Sequence, residues 1–139
     1  VEKLTAAGIP VMGHLGLTPQ SLHQLGGYRV QGRTDGDAIL EAALALEKAG
    51  AFAIVLELVP ADLASRISEA LTVPTIGIGA GTDCDAQVLV WTDMAGLTAN
   101  PPKLAKAYRN LRQELMGAAQ EFAEEVRSGK FPTESQTFH

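Results

Sequence analysis

Ala51-Phe52-Ala53-Ile54-Val55-Leu56-Glu57-Leu58-Val59-Pro60 is an apolar run interrupted once, by Glu57. A stretch this short and apolar, closed by a proline, reads as a strand buried on both faces, as in a parallel sheet. An unpaired carboxylate in such a strand costs on the order of several kcal/mol, or stays protonated. A glutamate kept there therefore has a task, either in chemistry or as the partner of a lysine or arginine.

The same rhythm of helix, stop signal and buried strand extends on both sides. Residues 1–7 read as a helix stopped at Gly8, followed by a strand over 9–14. Residues 37–49 form a stronger amphipathic helix, with Asp35 or Asp37 to cap it and Gly50 at its C-terminal turn. The strand 52–58 follows, then a helix over 62–71. Pro74 opens a strand over 75–79, and a fourth strand spans 87–92. Residues 103–128 read as one or two helices closing at Gly129. This cadence means βαβ units, an α/β fold with a parallel sheet.

Four such strands make half of an eight-stranded barrel. Half a barrel leaves two edges unpaired, so a complementary half is expected. Val1 stands in mid-helix without an initiator methionine, which reads as a processed chain or as part of a longer one. No signal peptide is expected ahead of the first helix.

Strand parity points to a site. In 52–58, Ile54, Leu56 and Leu58 face one way, Val55 and Glu57 the other. In 75–79, the isoleucines are assigned to the helices, which puts Thr75, Gly77 and Gly79 on the Glu57 side. The glycines are then expected to clear space beside Glu57. The first strand ends in His14, so one rim receives a histidine, a glutamate and an opening. Active sites of parallel α/β folds lie at that C-terminal end of the strands.

The chain has 139 residues, 46% hydrophobic and 19% charged, with a net charge of −5. These values fit one globular domain and argue against nucleic acid as a partner. No apolar run reaches the length that spans a membrane. The lone Cys84 excludes an internal disulfide and fits a reducing cytoplasm. It lies between Asp83 and Asp85 with no base beside it, the wrong setting for a nucleophile.

The glycine-rich turn 77–81 invites a phosphate reading, but the aspartates that follow would repel an anion. His14, between Gly13 and Leu15-Gly16, suits an acid, a base or a substrate donor, against the plainer role of a structural histidine. His23 and His139 read as surface residues. His14, Glu57, Asp83, Asp85 and Asp93 do not share a recognised metal-ligand spacing. Residues 26–33, with Tyr28, Arg29 and Arg33, form a long loop at the same rim, suited to a lid or a subunit contact.

Five blocks occur in order: residues 13–20 (GHLGLTPQ), 26–32 (GGYRVQG), 56–60 (LELVP), 76–81 (IGIGAG), and the tail with Phe131-Pro132 and Phe138-His139. Together they resemble the C-terminal half of the ketopantoate (3-methyl-2-oxobutanoate) hydroxymethyltransferase family. The resemblance implies the C-terminal half of a (βα)8 TIM-type barrel of the phosphoenolpyruvate/pyruvate superfamily. Residues 1–100 would run from the end of helix 4 through strand 8, and residues 101–139 would add C-terminal helices and a tail.

It further implies transfer of a hydroxymethyl group from 5,10-methylenetetrahydrofolate to 3-methyl-2-oxobutanoate, giving 2-dehydropantoate for pantothenate biosynthesis. The family's catalytic acid/base falls on Glu57, its substrate-proximal histidine on His14, and Gly77 and Gly79 leave room for substrate. Magnesium would be chelated by the keto acid and held by carboxylates that precede this chain, so the chain alone is expected to be inactive. A homo-oligomer, typically a decamer, is implied as well. Where many members carry a histidine before the aspartate after the last strand, this chain has Thr92-Asp93. Rival readings are another metal-dependent carbon–carbon lyase or transferase of that superfamily, and a non-catalytic half-barrel assembly module.

Overall fold

The computed structural model describes residues 1–24 and 26–139. They group into two compact units, Val1–Val88 and Leu89–His139. The expected change to C-terminal helices at residue 101 lies inside the second.

The first unit runs α1 (Glu2–Ala6), β1 (Met12–Gly16), α2 (Gly36–Lys48), β2 (Ala53–Glu57), α3 (Ala61–Ala70), β3 (Thr75–Ile78) and β4 (Ala86–Gln87). The strands form one sheet in the order β1-β2-β3-β4, every neighbouring pair parallel. The α/β reading with a parallel sheet therefore holds. One face of β2 is the centre of the core. Ile54 and Leu56 are fully buried there, packed in one cluster with Ala43 of α2 and Leu63, Ala64 and Ile67 of α3. Burial of each leucine or isoleucine contributes about 1.5–3 kcal/mol.

The expected aspartate cap of α2 is absent. Asp35 occupies the cap position, but its side chain accepts no capping hydrogen bond. Asp37 instead accepts from Arg66 Nη2 of α3 at 2.7 Å. Both side chains are exposed, so this pair adds little stability.

No helix joins β3 to β4. Residues 79–85 cross the sheet as a bare connection, and its Ala80 and Cys84 enter the core cluster. The connection is latched at its end. The Asp85 carboxylate accepts from the backbone N–H of Thr75 at 2.7 Å and from its hydroxyl at 3.0 Å. Ser68 of α3 hydrogen-bonds the same hydroxyl at 2.7 Å.

The two bonds from Thr75, its N–H foremost and then its hydroxyl, hold the Asp85 carboxyl below its ordinary value of 3.8. A carboxylate depressed in the folded state stabilises it above the unfolded value, and that stability is lost as pH falls through the folded value. Asp85→Asn, which keeps the shape and loses the charge, is therefore expected to lower Tm at pH 7. The gap to the unsubstituted protein should close as pH falls below about 4. A gap of constant size across that range in a pH series of melting curves would refute the latch.

The fourth strand is shorter than the expected 87–92. Its ladder holds only Ala86 and Gln87, with Val88 N–H adding one bond to Gly77 C=O. Its neighbour β3 ends at Ile78, so the strand has nothing further to pair with. At Val90 the chain turns helical, its carbonyl accepting from both Asp93 and Met94 N–H.

The second unit contains that short helix, α4 (Trp91–Met94), and a long one, α5 (Leu111–Ser128). Asp93 is buried and accepts a hydrogen bond from the Thr98 hydroxyl. Helix α5 begins well after the expected residue 103, at Asn110, whose side chain accepts from Gln113 N–H at 3.4 Å. It ends as expected at Gly129. Leu111, Leu115, Phe122 and Val126 follow one helical stripe and are exposed. No helix among the described residues is long and apolar enough to cross a membrane.

Candidate active site

The strand register decides which side chains meet. Residues level with one another in a parallel ladder share a face. His14 is level with Val55 and Gly16 with Glu57, while Val55 is level with Ile76 and Glu57 with Ile78. One face of the sheet therefore carries Met12, His14, Val55, Glu57, Ile76 and Ile78. The opposite face, with Ile54, Leu56, Thr75 and Gly77, is turned to the helices.

His14 and Glu57 are brought together. His14 Nε2 lies 3.0 Å from Glu57 Oε2, with the two side chains 33% and 16% exposed. While Glu57 is ionised, Nε2–H donates to it. That bond orients the carboxylate, whose remaining lone pairs can accept a proton from a substrate. Around this pair the face is aliphatic, through Val55, Ile76 and Ile78. The arrangement suits proton transfer at a substrate with an apolar branch, at the C-terminal end of parallel strands.

Gly77 is not beside Glu57. The parity assigned to the third strand is reversed: the isoleucines flank Glu57, and Gly77 faces the helix side, level with Leu56. A Cβ at Gly77 would lie 3.0 Å from the Gln87 side chain and 3.1 Å from Cys84 Sγ. The glycine does make room, but for the helix-free connection rather than for a ligand. Gly79 is exposed and follows Ile78 directly, with φ at 64°, so it stays at the rim.

Sequence reading thus missed Ile76 and Ile78. The available signal was the short Gly-rich segment between the last two strands, which must cross the outer face and needs small residues beneath it.

The long loop reaches this rim at one point. Gln31 N–H donates to Leu58 C=O at 2.8 Å, and Gln31 Nε2 donates to Arg29 C=O at 2.9 Å. Tyr28 is 76% exposed. His23 is exposed, and His139 pairs with Glu134 on the surface. Cys84 is buried in the core, away from any nucleophilic role. Among the described residues no three His, Cys, Asp or Glu side chains are grouped closely enough to hold a metal ion. Asp85 is engaged with Thr75, on the face opposite His14 and Glu57, and Asp93 accepts from Thr98 within the second unit.

Comparison with known proteins identifies the family. Residues 1–134 match the family model described as ketopantoate hydroxymethyltransferase. The chain is 61% identical over 140 residues to a 3-methyl-2-oxobutanoate hydroxymethyltransferase of Acidothermus cellulolyticus, covering 99% of the chain and 52% of that relative. Proteins of the same name from Thermobifida fusca and Acaryochloris marina are 59% and 60% identical, covering 99% and 95% of the chain and 50% and 52% of the relatives. The chain spans about half the length of the curated relatives it matches. With a family model matched along nearly its whole length, and relatives this similar, the chain belongs to the ketopantoate hydroxymethyltransferase family.

Proposed function

We propose that the polypeptide to which this segment belongs transfers a hydroxymethyl group from 5,10-methylenetetrahydrofolate to 3-methyl-2-oxobutanoate, forming 2-dehydropantoate. The observation that carries this reading is the His14–Glu57 pair set in an aliphatic face at the C-terminal end of adjacent parallel strands. The reaction begins by removing a proton from the carbon next to a ketone. Glu57 takes that proton, His14 orients the carboxylate, and Val55, Ile76 and Ile78 face the substrate's branched end and keep water from it. The resulting enolate carbon bonds to the donor's one-carbon unit as that unit's C–N bonds to the folate break, and water supplies the hydroxyl, releasing tetrahydrofolate.

The reading includes a magnesium ion with the keto acid. The described residues of this chain do not fit its site, since among them only His14 and Glu57 converge and no third ligand joins them. Its ligands are assigned to the part of the relatives' length that this chain does not span.

The same holds for the architecture. We take the four strands as half of a (βα)8 barrel of the phosphoenolpyruvate/pyruvate type. An open groove of about 750 Å³ along the β1 edge supports this, lined by Met12, His14 and Leu15 with Ala42, Ala45 and Leu46 of α2. A preceding strand and its helix would fill it. The exposed apolar stripe of α5 supports assembly with further copies, and the lone buried thiol fits the cytoplasm.

The test is turnover by the full-length protein. Consumption of 3-methyl-2-oxobutanoate with formation of 2-dehydropantoate, strictly dependent on the folate donor, is expected. Cleavage of a carbon–carbon bond without folate would replace this reading with that of a lyase.

A further inference from the structure

Leu58, the residue after Glu57, is the only non-glycine residue with positive φ among the described residues, at 49°. An L-residue resists this left-handed region because its Cβ crowds the following carbonyl oxygen. Such a conformation persists only where its surroundings over-determine it.

Here three hydrogen bonds from three separate segments do so. Leu17 N–H, just beyond β1, donates to Glu57 C=O at 2.8 Å. Leu58 N–H donates to Ile78 C=O, at the end of β3, at 3.0 Å. Gln31 N–H, from the long loop, donates to Leu58 C=O at 2.8 Å. The turn at Leu58 also breaks strand alternation. Leu58 would continue the buried row of Ile54 and Leu56, but Val59, 3% exposed, joins the core cluster instead. Strand β2 therefore stops at Glu57, with the peptide that follows it fixed on both sides.

We propose that Leu58 is a positioning residue: its left-handed backbone, held by Ile78 and Gln31, sets the direction in which Glu57 presents its carboxylate to His14 and to the substrate carbon. This rests on the reading of Glu57 as the base. Proton transfer requires the base within hydrogen-bond reach of the carbon-bound proton, and small misplacements lower the rate steeply. The three bonds also make the long loop part of the constraint, since Gln31 supplies one of them.

Leu58→Ala and Leu58→Gly in the full-length protein separate side chain from backbone. Both remove the isobutyl group, but only glycine is free of the left-handed penalty. Leu58→Gly is expected to melt about 2–4 °C above Leu58→Ala. Because the three backbone bonds remain and glycine enters the left-handed region without strain, its kcat should be at least ~10-fold above that of Leu58→Val, whose β-branched side chain resists that region, with KM for the keto acid within about 3-fold. Leu58→Asn, a residue that tolerates the left-handed region, should keep a kcat near that of the glycine variant.

A side chain that only packs would make the valine variant, which keeps most of the apolar volume, at least as active as the glycine one. A kcat of Leu58→Val equal to or above that of Leu58→Gly, or an alanine variant as stable as the glycine one, overturns the proposal. Glu57→Gln separates the two levels of argument. If that variant keeps full proton exchange, the reading of Glu57 fails and the positioning role fails with it. If it loses exchange while the glycine and valine variants of Leu58 turn over equally, only the positioning role falls.

Discussion

In the full-length protein, Glu57→Gln is expected to slow exchange of the C3 proton of 3-methyl-2-oxobutanoate by about 10²–10⁴-fold, the range for loss of a general base. Keto-acid binding should stay within about 3-fold of the unsubstituted protein, because the substitution removes the base and little else. Glutamine has nearly the shape of glutamate, and its amide oxygen can still accept from His14 Nε2 across the present 3.0 Å. The Glu57 carbonyl keeps its bond from Leu17 N–H as well. Exchange can be followed in deuterated buffer by loss of the C3 proton signal, with binding measured on the same sample by calorimetry. Undiminished exchange would remove Glu57 from the chemistry and leave it the bland role of a partner for His14.

The second large effect concerns Gly16→Ala, expected to destabilise the fold by about 3 kcal/mol or more. Gly16 ends β1 with φ at 86°, a conformation that strains any L side chain. Its Cβ would overlap the carbonyl oxygen of Glu57 and lie 2.8 Å from Val59 Cγ1. Backbone cannot give way there as a flexible side chain would, because that carbonyl accepts from Leu17 and belongs to the clamp that ends β2. The same alteration should reduce activity by moving Glu57.

Gly117→Ala provides the control. It lies within α5 with open space around its Cβ position, so alanine there should be neutral or stabilising by up to about 1 kcal/mol. Denaturant midpoints of the two variants decide the matter. A Gly16→Ala protein as stable as the Gly117→Ala one would contradict the close approach of β1 and β2.

Much of this was legible in the residues. The helix–strand cadence and the apolar run around Glu57 led to the parallel sheet, and His14 and Glu57 at their strand ends led to a contact the structure makes. What failed was parity on β3. Alternation names two faces but not which of them is inner when both are covered. Thr75-Ile76-Gly77-Ile78 is ambiguous on this point, since isoleucine suits either face. The deciding fact lay outside the strand: a connection without a helix packs over Thr75 and Gly77, and the hydrogen bonds linking Thr75 to Ser68 and to the Asp85 carboxylate define that side.

The length of the fourth strand was hidden for a related reason. Val88-Leu89-Val90 has strand-like composition, but a strand extends only as far as its neighbour, and β3 stops at Ile78. Leu58 was misread as well, because strain imposed by three hydrogen-bond partners distant in the chain leaves no mark in composition.

The sequential strand order has a kinetic consequence. The chain separating His14 from its neighbour Val55 is roughly twice that separating Val55 from Ile76, and about four times that separating Ile76 from Ala86. Each doubling of a closed loop adds about 0.6 kcal/mol of entropy cost, so β3–β4 closes most easily and β1–β2 least. Contacts of low sequence separation tend to form early. The sheet is thus ordered to grow backward along the chain, giving Glu57 its neighbour Ile78 before His14 arrives. The His14–Glu57 pair is a late event in folding, completed by the pairing with the longest loop to close.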